Sequence, residues 1–358
     1  MSQANQIKAP RIVLNPKDAT RFMDHTLKAG LVAFLKGSPG IGKSDIARQT
    51  AKANNLKFVD FRLAQCDPTD LNGFPRFDEK TGRSTYMPMT TWPLKGDPLP
   101  INEETGQPYD GWYLFFDELP AAAPAVQAAA YKILLDRKVA DFDLHPKAHM
   151  GAAGNLVTDN AVAEDMSTAL QSRLIHATLE VKLEDWLRWA VHAGIDPRIT
   201  SFLQWKPGQL YQFNPDHTDD TFACPRTWEF ASKGLKGLDL VNDQVFSRAV
   251  LVGTISEGPA REFIAFCNFF SKLPTMAEIA ANPKGVAVPE EPGVLYALTG
   301  ALAGAMDQTN IGPLFEYMSR IPLEYQVITL RSAIPRNREI AQNPAVKQWC
   351  VANASALF

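Results

Sequence analysis

The chain of 358 residues has four cysteines, Cys66, Cys224, Cys267 and Cys350, with no Cys-x-x-Cys pair among them. That scarcity excludes a disulfide scaffold and the ligand spacing of a structural zinc site, and the thiols read as reduced in a cytosolic protein. Long apolar runs are missing as well. The longest, at 31–35 and 112–116, fall far short of the roughly 20 residues that cross a bilayer. The opening Met1-Ser2-Gln3-Ala4-Asn5-Gln6 has no apolar stretch of the signal-peptide kind, so the expected location is the cytoplasm. Neither sign of charge dominates: 36 basic against 39 acidic residues leave −3, and neither nucleic acid nor a membrane is expected as partner. No Gly-x-Ser-x-Gly occurs, and no Asn-Lys-x-Asp that would read guanine.

What remains is a globular composition, 46% hydrophobic, 21% charged and 10% aromatic, at a length suited to two or three structural units. Its 26 prolines are somewhat above average usage. In the first half, short apolar runs alternate with helical patterns, as repeated βα units of a mostly parallel sheet should. Strands are expected at 31–35, 56–61, 112–116, 149–153 and 175–181, and helices at 44–53 and 124–136. In the second helix Val126, Ala129, Ala130, Ile133 and Leu134 share one face, and Pro124 suits the first turn. Residues 62–111 are too long for a simple crossover. Their Pro, Gly, Asp and Thr predict loops and turns around short elements, and Phe74, Tyr86, Trp92 and Trp112 argue against disorder.

After residue 181 the pattern turns helical. Leu183, Trp186, Leu187, Ala190 and Val191 make one apolar face, and helices open at Asp196-Pro197 and at Pro225. Residues 282–293 read as a linker. Beyond them Leu314, Tyr317, Met318 and Ile321 form one stripe, and Leu323, Val327 and Leu330 another.

Chemistry concentrates in two places. Gly37-Ser38-Pro39-Gly40-Ile41-Gly42-Lys43-Ser44 fulfils G-x-x-x-x-G-K-[ST] between an apolar strand and a helix. Glycines let backbone N–H groups turn inward around phosphate, Lys43 reaches the β/γ-phosphates, and Ser44 ligates Mg²⁺. Trp112-Tyr113-Leu114-Phe115-Phe116-Asp117-Glu118 is an apolar strand ending in two acids. Downstream of a P-loop, Asp117 is expected to hold Mg²⁺ through its water shell and Glu118 to polarise the attacking water. His145 and His149 stand four apart, but Pro146 between them argues against a helical metal pair.

Further stretches follow in order: Gln127, Leu134-Leu135 and Asp136-Arg137-Lys138-Val139; Ala152-Ala153-Gly154-Asn155; Ser167-Thr168-Ala169-Leu170-Gln171-Ser172-Arg173-Leu174; and Cys224-Pro225-Arg226-Thr227-Trp228. Together with the P-loop and the acid pair they resemble AAA+ ATPases, and within them the MoxR-like group, over most of residues 30–235. The resemblance implies an α/β P-loop NTPase core of parallel strands at 1–190, a helical lid at 191–281, the 282–293 linker and a helical C-terminal extension at 294–358. It implies that Asn155 is the sensor-1 residue positioning the lytic water, Arg173 an arginine finger and Arg226 the sensor-2 arginine. It also makes 62–111 a helix-2-type insert and 137–148 a hairpin ahead of sensor 1, both facing the pore of a ring. ATP and Mg²⁺ are the implied cofactors. The implied partners are further copies of the chain in a hexamer and a protein client, often beside a von Willebrand factor A domain protein. The chain departs from the group's pattern at Ser172 and Leu174, where Asn and Phe flank the arginine, and at Leu119-Pro120 after the acids.

Two rival functions are a nucleic-acid-directed AAA+ motor or loader and a non-catalytic ATP-binding scaffold. Against the first, the insert's Arg76, Lys80, Arg83 and Lys95 are nearly cancelled by Asp67, Asp70, Asp78, Glu79 and Asp97. Against the second stand Glu118 and Asn155, which binding alone does not need.

Overall fold

Apolar runs in the first half become strands of one sheet. The structure, a computed structural model, describes residues 12–80, 82–156, 159, 166–240, 243–270 and 272–354. Its strands are β1 (Val13–Leu14), β2 (Val32–Lys36), β3 (Leu56–Arg62), β4 (Phe74–Asp78), β5 (Arg83–Met87), β6 (Gly111–Asp117), β7 (Lys138–Val139), β8 (Phe142–Asp143), β9 (Ala148–Gly154) and β10 (Leu174–Leu179). Six of them form a parallel sheet in the order β1-β10-β2-β9-β6-β3. Strands β2 and β6 are buried almost end to end, as a parallel sheet covered on both faces requires. Helices α1 (Pro16–Lys28), α2 (Lys43–Ala53), α3 (Pro68–Asn72), α4 (Pro124–Asp136) and α5 (Thr168–Gln171) complete this part of the chain.

Compared with the sequence expectation, β9 begins one residue earlier and β10 ends at Leu179 rather than 181. Strand β1 is too short for periodicity to reveal. The 62–111 stretch contains α3 and the antiparallel β4–β5 hairpin. It is anchored by Trp92, whose ring stacks on Phe61 with centroids 4.3 Å apart and whose indole N–H donates to Asp70 O at 3.0 Å. Phe61 in turn stacks on Phe116, so insert and sheet share one aromatic core. Strands β7 and β8 pair as a second hairpin.

The chain divides into two compact units, one running to Val181 and including Asn214–Asp216, the other comprising Lys182–Phe213 and His217–Phe358. The second unit is helical: α6 (Leu183–His192), α7 (Pro197–Trp205), α8 (Pro225–Gly234), α9 (Gln244–Ile255), α10 (Glu257–Phe270), α11 (Met276–Ala281), α12 (Pro292–Ala305), α13 (Ile311–Met318), α14 (Leu323–Arg336) and α15 (Pro344–Ala352). This partition differs from the expected one in two ways. Helix α6 lies with the helical unit, so the division falls before it rather than at 190. The lid and extension are also one body, because α12 packs on α7 so closely that a Cβ on Gly300 would stand 1.9 Å from Ser201 Oγ. Pro292 and Gly293 belong to the first turn of α12 rather than to the linker, a place that proline's fixed φ favours.

One close approach in the sheet is testable. Gly151 on β9 faces Tyr113 on β6, and a Cβ there would lie 2.1 Å from the Tyr113 hydroxyl oxygen. Gly151→Ala is expected to cost about 1–3 kcal/mol through overpacking, read as a lowered Tm. Adding Tyr113→Phe should recover part of that loss; no recovery would place the strain elsewhere.

Candidate nucleotide-binding site

The buried strand β2 delivers the chain to a loop that only glycine can turn. Gly40 and Gly42 sit at φ 76° and 94°, in the left-handed region that side chains disfavour. A Cβ on Gly37 would meet Ile41 Cδ1 at 2.5 Å and Leu179 O at 3.1 Å. The Gly37 amide donates to Gly154 O at 3.2 Å, which fastens the loop to the end of β9. Helix α2 then starts at Lys43 with Gly42 as its cap and no side chain over its first amides, leaving the positive end of its dipole toward the loop.

Lys43 is buried, 8% exposed. Its ammonium donates to Gly37 O at 2.6 Å, Ser38 O at 3.0 Å and Asn155 Oδ1 at 2.9 Å. Ser44 Oγ donates to Asp117 Oδ2 at 2.5 Å, and Asp117 Oδ1 accepts from the Glu118 amide at 2.9 Å. The P-loop, Asp117, Glu118 and Asn155 therefore gather at the carboxyl ends of the adjacent strands β2, β9 and β6, the usual place for a ligand in such sheets. Glu118 has φ 58° and ψ 31°, a left-handed conformation that costs a non-glycine residue about 1–2 kcal/mol. The turn that follows holds it: Ala121 N donates to Glu118 O, and Leu119 and Pro120 are buried. Pro120, one of the departures from the family pattern, packs where a Cβ on Gly154 would lie 2.4 Å from its Cδ. It thereby supports the strand end carrying Asn155.

Arg173 and Arg226 lie outside this constellation's hydrogen bonds. Arg173 is exposed at the end of α5, donates to Ala169 O and Ser172 Oγ, and lies over the Tyr131 ring with 5.7 Å to its centroid. Arg226 is exposed in the first turn of α8, in the helical unit.

Two acids beside the site escape a reading of motifs. Asp159 is 8% exposed and accepts from Ser38 Oγ at 3.2 Å and from Leu156 N at 3.3 Å. Asp60 on β3 lies 3.8 Å from both Arg48 and Arg62 through Oδ2, while its Oδ1 is buried without a partner among the described residues. Burial first, and then the charge of Asp117, holds its carboxyl above the usual carboxylate range. A charged residue amid the apolar alternation of 56–62 was the available signal.

The donor set suits a hard divalent cation, with a hydroxyl and a carboxylate already in contact at Ser44 and Asp117. No group of three or more His, Cys, Asp or Glu that could hold a metal occurs among the described residues. A bound Mg²⁺ takes most of its ligands from phosphate and water. Ser44 and Asp117 are the residues that would hold it.

A P-loop between a central parallel strand and its following helix, flanked by polar side chains from neighbouring strand ends, defines an α/β fold of the P-loop NTPase class. No protein-family model matches the chain, and no curated protein matches it in sequence. Among solved structures it is similar to a Cytophaga hutchinsonii protein described as an ATPase, at 13% identity and TM-score 0.35 over 95% of this chain and 89% of that one. It is also similar to Brucella abortus NtrX in complex with ADP, at 15% identity and TM-score 0.35, covering 94% and 67%. A RuvB variant from Thermotoga maritima matches at 14% identity and TM-score 0.33, covering 85% and 88%. At these values the likeness decides nothing about activity.

The raised carboxyl of Asp60 has a measurable consequence. A group whose folded pKa lies above its unfolded value lends stability at low pH that is lost as pH rises through the folded pKa. The ligand-free Asp60→Asn protein is thus expected to melt higher than wild type at pH 7, with the gain shrinking as pH falls toward 4. A variant that melts lower at pH 7 would mean that the arginine pairs outweigh burial.

Proposed function

We propose that this protein is a Mg²⁺-dependent ATPase of the AAA+ class, similar to the MoxR-like group, that works as a ring-shaped homo-oligomer, a hexamer by that resemblance, and remodels a protein client. The observation that carries the reading is the pair of bonds Lys43–Asn155 and Ser44–Asp117, which join P-loop, sensor position and acid pair into one site.

Phosphate entering the loop competes for the Lys43 ammonium, which exchanges loop carbonyls for β/γ-phosphate oxygens. Ser44 and Asp117 would hold a divalent cation, which would supply neutralisation of charge on the phosphates. Glu118 orients and deprotonates the attacking water. Asn155, released by Lys43, holds that water in line. Exposed Arg173 has no partner in the acid pair of its own chain, which suits a group supplied to the γ-phosphate of a neighbouring copy, while Arg226 would report the nucleotide state to the helical unit. The absence of an Asn-Lys-x-Asp favours ATP over GTP.

A client that is protein rather than nucleic acid is supported by the balanced charge of the chain and of its insert. A von Willebrand factor A domain partner and a cytoplasmic location are extensions of the same resemblance. Among the described residues no helix is long and apolar enough to cross a membrane.

Phosphate release tests the reading. Lys43→Ala is expected to abolish nucleotide binding. Glu118→Gln should retain ATP but turn it over about 10²–10⁴-fold more slowly, and Arg173→Ala about 10³-fold or more. Mixing Lys43→Ala with Arg173→Ala subunits should restore part of the activity, since each supplies what the other lacks. Wild-type turnover in Glu118→Gln would refute the mechanism, and strictly additive loss in the mixture would refute the shared site.

A further inference from the structure

The nucleotide reading uses Ser44, Asp117 and Glu118 and leaves a third carboxylate, Asp60, without a task. Asp60 stands on β3 two positions before Arg62, which is in register with Asp117 on β6. Residues in register share a face and the pleat repeats every two residues, so Asp60, Arg62 and Asp117 all project from the same side of the sheet. That side is covered by α2. Arg48, one turn beyond Ser44, lies 4.6 Å from the centroid of the Phe58 ring and reaches Asp60 Oδ2 at 3.8 Å. Arg62 Nε approaches the same oxygen, also at 3.8 Å. Oδ1 is buried and accepts from nothing among the described residues, although buried polar atoms nearly always find a partner.

We infer that Asp60 is a positioning residue of the divalent-cation site, its Oδ1 being the acceptor for a water of the cation's hydration shell. The inference rests on reading Ser44 and Asp117 as the cation's protein ligands. Its physical basis is that Mg²⁺ sheds water reluctantly and retains several molecules when bound. Those waters carry polarised protons that need acceptors, and losing an outer acceptor typically costs a metal site about 10–100-fold in affinity. The two arginines steady the carboxylate through Oδ2 while leaving Oδ1 without a partner among the described residues, and their charge opposes the cation's.

Mn²⁺ is the probe, with free ion measured by electron paramagnetic resonance in the presence of ADP. Asp60→Asn is expected to weaken Mn²⁺ binding about 10-fold while ADP affinity in EDTA stays at the wild-type value. Asp60→Ser, which also removes the charge, should follow the same pattern and guards against a folding defect peculiar to one variant. Arg62→Gln should tighten Mn²⁺ binding, and in Asp60→Asn/Arg62→Gln the size of that gain should differ, a coupling that a merely structural Asp60 would not produce. Unchanged Mn²⁺ affinity in Asp60→Asn, or an equal loss of metal-free ADP binding, overturns the assignment. Wild-type protein that binds ADP neither with nor without Mn²⁺ overturns the nucleotide reading and this assignment with it.

Discussion

The structure depends on holding a buried ammonium in place before any phosphate arrives. Lys43 is charged and nearly inaccessible, and such a group survives burial only with acceptors around it. Two of its acceptors are carbonyls of its own loop and another is Asn155 at the end of another strand. That requirement fixes the loop's curvature, hence the left-handed glycines, and fixes β9 beside β2. It also explains Pro120. By packing on Gly154 it braces the strand end whose next residue accepts from Lys43.

The same site gathers groups that a stable fold would avoid. Glu118 takes a left-handed backbone, Asp60 buries an oxygen with no partner among the described residues, and Asp159 places a carboxylate against the P-loop. Strain and unsatisfied polarity persist only where surroundings over-determine them. On the opposite face of β3 from Asp60, Phe61, Phe116 and Trp92 stack in one column under the ends of β3 and β6.

The P-loop and acid pair were legible in sequence because phosphate binding by a strand, loop and helix is a local event, complete within residues 32–53. The order of the later motifs extended that legibility to Asn155. Asp60 was not legible, because its meaning lies in register with β6, more than fifty residues away, and in the neighbours α2 brings over it. The units were misjudged for a related reason. Helical periodicity finds α7 and α12 separately, but not that they pack together, with Gly300 against Ser201 at their closest approach. Interactions between distant segments have no sequence period to announce them.

Strand β3 is where the insert and the site meet. Its pleat sends Phe61 to one face, against Trp92 of the insert, and Asp60 to the other, beside Arg48 of the P-loop helix. The two residues are consecutive, so the peptide joining them belongs to both environments. β3 is also the sheet's edge, bonded to β6 on one side only, and an edge strand shifts more readily than a central one because fewer ladder bonds resist it. Trp92 is held by the rings of Phe61 and Phe116 and by the Asp70 carbonyl together, so the insert rests on both β3 and β6. One pleat of β3 thus links the packing of the insert, through Phe61, to the carboxylate of Asp60, which lies on the same face as Asp117.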